Sequence, residues 1–171
     1  MHSIYGKEQW KIPDRDTIKI NVDAAIFKNE NRFGHGFSAR DYTGKLIEAR
    51  SVCRFGRVKA DLAEALAFKE VLSWVKTKQW NKVIIETDCI KVVQALRSSV
   101  SLVSTFGLFI SDCKQLLHDI ADAEFCFIKR SANRVAHCLA RQSCLFPDRS
   151  ITEMDASSEV VSLCSSDLLM E

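Results

Sequence analysis

A chain of 171 residues, 47% hydrophobic and 27% charged, is long enough to bury a sizeable core as one domain and too apolar to be disordered throughout. No apolar run approaches the roughly 20 residues of a membrane-spanning helix, and Met1 to Lys7 lacks the apolar stretch of a secretory signal, so membrane and secreted classes are not expected. The net charge of +2 conceals a division: Asp148 to Glu171 holds six acids against one base, leaving +7 on the first 147 residues, which fits either a polyanionic partner or an ordinary solvated surface.

Residues 1–17 read as an extended lead-in anchored by Trp10 and Pro13. Ile18 to Ala25 then alternates: Ile18, Ile20 and Val22 point one way, and Lys19, Asn21 and Asp23 the other. A carboxylate in mid-strand is costly to bury without a partner. Asp23 is therefore either hydrogen-bonded for structural reasons or placed to bind a cation. Asn29 to Asn31 supplies turn residues before a second strand, Phe33 to Arg40, whose glycines Gly34 and Gly36 permit a bend or bulge. After a tight turn at Asp41 to Gly44, Lys45 to Phe55 gives a third strand, completing an antiparallel meander.

The clearest helix follows, about Lys59 to Thr77, with Leu62, Ala65, Leu66, Leu72 and Val75 at three-and-four spacing. Asp61 and Glu64 lie near its favourable N-terminal end, Glu64 on the edge of the stripe. Lys82 to Asp88 is a short apolar run ending in acids, as expected of a buried parallel strand with Asp88 at its C-terminal edge. Helices are expected over Cys89 to Arg97 and Thr105 to Ile120, a fifth strand over Glu124 to Lys129, and a last helix over Asn133 to Leu145. From Pro147 onward periodicity fades, and an acidic, Ser-containing flexible tail is expected. The division is thus a lead-in (1–17), one domain (18–146) and a tail (147–171). The order β-β-β-α-β-α-α-β-α implies a single mixed sheet with helices on its faces.

The seven cysteines form an odd set without a C-x-x-C pair, and read as free buried thiols of a reducing compartment rather than zinc ligands or disulfides. An intracellular protein is expected, nuclear or cytoplasmic, since no dense basic cluster is present.

Asp23, Glu64 and Asp88 stand at mechanically similar places. A right-handed crossover through the first helix makes strands one and four neighbours, which brings the three acids to one sheet edge. Three anions so close repel one another unless a divalent cation lies among them, and hard oxygen ligands suit Mg²⁺ or Mn²⁺. On spacing alone, a helix-start acid and a turn acid with no shared site is the favoured reading.

Dispersed motifs add a resemblance. Trp10-x-x-Pro13, Lys19-Ile20-Asn21-Val22-Asp23-Ala24-Ala25, Gly34-x-Gly36 and Arg40-Asp41-x-x-Gly44 come first. Ala63-Glu64-Ala65-Leu66-Ala67, Ile85-Glu86-Thr87-Asp88 and Arg130-x-x-Asn133-x-x-Ala136-His137-x-Leu139-Ala140-Arg141 follow. In this order and spacing the chain resembles the ribonuclease H family, in particular its plant reverse-transcriptase-like, type-1 branch, from about Trp10 to Arg141. The resemblance implies an α/β ribonuclease H-like fold: a five-stranded mixed sheet of order 3-2-1-4-5, strands 1–3 antiparallel, flanked by about four helices. It implies a metal-dependent endonuclease that hydrolyses the RNA strand of RNA–DNA hybrids without sequence preference. Asp23, Glu64 and Asp88 would hold two Mg²⁺ or Mn²⁺ ions, and Asn133, Arg130 and Arg134 would contact nucleic acid. A monomer is expected.

The chain departs from the family at the fourth acid, where His137 stands. This side chain can ligate a metal, carry a proton near neutral pH, or merely occupy the start of the last helix. Reduced or Mn²⁺-dependent cleavage is the expectation. The basic residues Lys11, Lys19, Arg32, Lys91, Lys129 and Arg134 are scattered rather than striped, so modest, salt-sensitive affinity is expected. Trp74 and Trp80 read as core or cap residues. A non-catalytic binding module that retained the fold is the competing function; a related exonuclease needs a different acid pattern.

Overall fold

Alternation in the first strand decides which side of the sheet receives which helix. In the computed structural model, which describes residues 5–146 and 148–170, β1 (Ile18–Phe27) buries Ile20 and Val22 against one layer, and Asn21 and Asp23 are buried too. It pairs antiparallel with β2 (Arg32–Arg40), which pairs antiparallel with β3 (Leu46–Phe55). The chain then forms α1 (Ala60–Lys78) and returns as β4 (Lys82–Thr87), parallel to β1. Next come α2 (Ile90–Arg97), α3 (Thr105–His118) and β5 (Asp122–Phe127), the last parallel to β4. A 3-10 turn at Arg130–Ala132 leads into α4 (Arg134–Gln142), followed by β6 (Arg149–Ile151) and α5 (Ser158–Leu168).

The main core lies between the sheet and α1, where Ile20, Val22 and Phe37 meet Phe68, Val71, Leu72 and Trp74. Burial on α1 is wider than one stripe: Ala63, Ala67, Phe68, Val71 and Trp74 are all buried, because α3 packs on the far side of the helix from the sheet. Trp74 is buried and meets Trp80 edge-on at 4.9 Å, as expected of core and cap residues. Of the lead-in anchors, Trp10 and Pro13 are both buried, and the Arg40 guanidinium stacks on the Trp10 ring at 3.5 Å.

Gly34 and Gly36 do not bend β2, whose register shifts only between Ala39 and Arg40. They admit α4 instead. A Cβ on Gly36 would stand 2.1 Å from the Ala140 nitrogen and 2.5 Å from the Ala136 oxygen, so only glycine lets that helix lie directly on the strand.

The sheet has six strands in the order β5-β4-β1-β2-β3-β6. The expected order is kept and the count corrected: β6 adds to the free edge of β3, pairing Ala49 with Ile151. The flexible tail expected from residue 147 is corrected with it, although Pro147 and Glu171 themselves, like residues 1–4 of the lead-in, lie outside the described residues. Ile151 and Val160 are buried with Leu46, Ala49, Val135 and Leu139 in a second core, and α5 makes a fifth helix. Its Asp167 is buried between Arg40 Nη1 at 2.9 Å and Arg134 Nη2 at 2.7 Å. Apolar residues too sparse to show a period in the sequence thus dock once two arginines neutralise the acid among them.

All seven cysteines are free; Cys113 and Cys138 are buried and the others half-buried. No helix among the described residues is long and apolar enough to cross a membrane.

Candidate metal centre

The parallel register pairs Val22 with Thr87, so the next residues, Asp23 and Asp88, stand side by side as β4 ends. Glu64, in the second turn of α1, leans over the same edge and accepts the Ala24 backbone N–H at Oε1, 3.2 Å. Asp23, Glu64 and Asp88 each offer a carboxylate oxygen, and the three oxygens lie within 4.8 Å of one another. Spacing alone favoured two acids with no shared site; the fold brings the three carboxylates together.

The electrostatics follow from burial. Asp23 has no exposed surface, and its carboxyl is raised above the ordinary range by burial and then by the Asp88 charge, against the opposing hydrogen bonds of His137 and Glu64. Glu64 is raised further, by burial first and by Asp23 next. Among the described residues no N–H or hydroxyl reaches buried Asp23 Oδ1 or Glu64 Oε2, and the hydrogen bond open to them is a proton shared between the two carboxyls. Two such oxygens facing each other are tolerated only with a proton or a cation between them. Two donorless carboxylate oxygens beside the hydrogen-bonded Asp88 carboxylate make a hard oxygen set that could hold a divalent ion such as Mg²⁺ or Mn²⁺.

His137, in the first turn of α4, places Nδ1 2.7 Å from Asp23 Oδ2. It joins the site through Asp23 rather than among the clustered carboxylate oxygens, and leaves Oδ1 of Asp23 to the cation side. Arg130 is 63% exposed and donates from Nε to Asp88 Oδ2 at 2.9 Å. It therefore stands at the rim of the centre, able to meet an anion.

Two residues expected to contact nucleic acid are placed otherwise. Asn133 is 1% exposed, with its amide turned inward, so it cannot touch a duplex. Arg134 is held by Asp167 and Ser166 of α5. Lys19, counted above among the scattered bases, is also withdrawn: it is buried and paired with Glu86 at 3.0 Å. Sequence reasoning missed the part played by Asn21, which joins Asn133 to Trp10. Its inward position on β1 was readable from the alternation; its partners were not.

Comparison with known proteins bears on the fold. The chain resembles the RNase H1 of the halophilic archaeon Halobacterium salinarum at TM-score 0.68 and 17% identity, over 75% of this chain and 97% of that one. It resembles the N-terminal RNase H domain of rv2228c from Mycobacterium tuberculosis at TM-score 0.65 and 14% identity, over 88% and 97% of the two chains. A third likeness is to LC11-RNase H1 solved in complex with an RNA/DNA hybrid, at TM-score 0.64 and 18% identity, over 73% and 94%. At these identities the likeness establishes the fold. Among curated proteins no significant match is found. A family model described as reverse transcriptase-like matches residues 21–143, from β1 to the end of α4, and spans all four residues of the centre. The chain belongs to the reverse transcriptase-like family, built on the ribonuclease H fold.

Proposed function

We propose that this protein is a divalent-metal-dependent endonuclease that hydrolyses the RNA strand of RNA–DNA hybrids. The observation that carries the reading is the pair of buried, donorless oxygens on Asp23 and Glu64 beside Asp88. A buried pair of this kind holds either a shared proton or a cation; the third carboxylate, Asp88, beside it supports the cation, and the solved structures sharing the fold include one in complex with an RNA/DNA hybrid.

Asp23, Glu64 and Asp88 would hold the ions, which when bound activate water and neutralise charge at a phosphodiester. The remaining roles belong to the chain. His137 holds Asp23 Oδ2 by its 2.7 Å contact. The Ala24 N–H restrains Glu64. Arg130 presents an exposed guanidinium at the rim, suited to a backbone phosphate. Lys19 and Arg134 are engaged inside the fold and the other bases are scattered over the surface, so affinity is modest and falls with salt.

A labelled hybrid incubated with the full chain in Mg²⁺ and in Mn²⁺ tests this, with double-stranded DNA and Asp23→Asn as controls. RNA-strand cleavage leaving 5′-phosphates, lost in the folded variant, is expected. Hybrid intact in both metals, or cut equally by Asp23→Asn, would overturn the reading. The second reading, a binding module without catalysis, draws on His137 standing where a fourth carboxylate is expected. Hybrid that is bound but uncut in both metals identifies that case.

A further inference from the structure

We propose that Asn133 is a positioning residue for the metal centre, resting on the reading of Asp23, Glu64 and Asp88 as metal ligands. Asn133 occupies the N-cap of α4, where an Asn side chain ordinarily accepts a backbone N–H from the first turn. Here it makes no such bond. The amide nitrogen instead donates to the Val22 carbonyl at 3.0 Å and to Asp88 Oδ1 at 3.4 Å, while Oδ1 accepts from Asn21 Nδ2 at 3.3 Å. The backbone carbonyl of the same residue accepts the His137 N–H at 3.0 Å. One residue therefore seats both Asp88 and the helix turn that carries His137.

The direction of this amide is set from a distance. An indole N–H can only donate, and Trp10 Nε1 donates to Asn21 Oδ1 at 2.9 Å. That turns Asn21 Nδ2 toward Glu86 Oε2 at 3.0 Å and toward Asn133 Oδ1. Asn133 must then present its NH₂ to Val22 and Asp88. In the opposite orientation, its oxygen would face two acceptors. The polarity runs from the lead-in, through two buried amides, to a carboxylate of the centre. Arg130 holds the other oxygen of Asp88, so the carboxylate is clamped from both sides.

Hydrogen-bond partners of ligating carboxylates typically carry about 10–100-fold in metal affinity. The test measures Mn²⁺ binding to the purified full chain by the electron spin resonance of free Mn²⁺, beside melting temperatures in EDTA. Asn133→Ser keeps a competent helix cap but cannot reach Asp88. A fall in Mn²⁺ affinity of about tenfold or more is expected, larger than any effect of melting in EDTA explains. Trp10→Phe keeps a ring beneath Arg40 and removes only the donor that orients the relay; a smaller loss in the same direction is expected. It decides the matter alone if Asn133→Ser does not fold. Wild-type affinity in a folded variant overturns the proposal. Absence of Mn²⁺ binding by the wild type overturns the metal centre and this role together. Normal binding without hybrid cleavage removes the nuclease reading and leaves the role of Asn133 to be decided by the variants.

Discussion

Asp167 is the residue on which the docking of α5 turns, and Asp167→Asn tests it. The substitution keeps the shape of the side chain and removes its charge. It leaves Arg40 Nη1 and Arg134 Nη2, now 2.9 and 2.7 Å from the carboxylate, facing an amide that can accept from one of them and presents hydrogens to the other. Breaking one partner out of a buried ion pair costs about 3–5 kcal/mol. Arg134 is one-third exposed and its share is discounted for solvent. Arg40, 1% exposed and with Nε already unpartnered, keeps only the Trp10 ring. A loss of about 3 kcal/mol follows, and at ~2–4 °C per kcal/mol for a chain of this size the melting temperature falls by roughly 6–12 °C. The loss is bounded, because β6 and α5 can undock and let water reach Arg40. Scanning calorimetry and limited proteolysis distinguish the cases: either the whole transition shifts, or cleavage appears between residues 148 and 157 before the main melt. A variant that melts within about 2 °C of the wild type and resists protease equally refutes the buried triad as the clasp of the C-terminal segment.

Other perturbations separate packing from charge. Gly36→Ala drives a methyl into the backbone of α4 and should lower stability by at least ~1–3 kcal/mol in urea denaturation, whereas Gly34→Ala meets chiefly the movable Ser143 side chain and should cost less. Burial pushes the Glu48 carboxyl up, but hydrogen bonds from Lys78, Ser150 and Arg50 outweigh it and leave its pKa lowered. Its contribution is therefore complete above the ordinary carboxylate range and is lost as pH falls through the lowered value. The stability gap between wild type and Glu48→Gln, measured by urea titration, should narrow across that acid window. His137→Asp sets a carboxylate against Asp23 and should lower the melting temperature in EDTA, with recovery as Mn²⁺ is added. No recovery would count against cation binding.

Much of this fold is legible in the sequence because its strands are short-range objects. The alternation of β1, the turn residues Asn29 to Asn31 and the Asp41 to Gly44 turn depend on neighbours along the chain, and the meander follows from them. The first helix was harder. A single stripe through Leu62 and Leu66 assumes one buried face, but α1 lies between the sheet and α3, so Ala63, Ala67 and Val71 are buried and those two leucines only partly. The glycines of β2 look like a bend until α4, a hundred residues later, arrives on top of them. Asp167 sits in a segment of acids and serines where nothing local marks it as buried. Asn133 reads as an ordinary cap, since its diversion to Asp88 depends on a tryptophan far upstream. The three carboxylates were visible as candidates through β-strand and helix placement; their convergence needed the parallel register.

Charge accounting explains why an imidazole is compatible with the fourth position. Three carboxylates already lie at one sheet edge, and two are pushed upward in pKa, Asp23 by burial and then Asp88, Glu64 by burial and then Asp23. A fourth carboxylate there would add repulsion that only bound cations relieve. His137 adds no negative charge and holds Asp23 by a hydrogen bond, while Arg130 offsets Asp88 at the rim. The centre thus carries less repulsion than four carboxylates would, at the expense of one hard oxygen ligand. The substitution is expected to weaken ion binding, and titrating Mn²⁺ against the wild type and His137→Asp checks it: equal affinity would refute the charge argument.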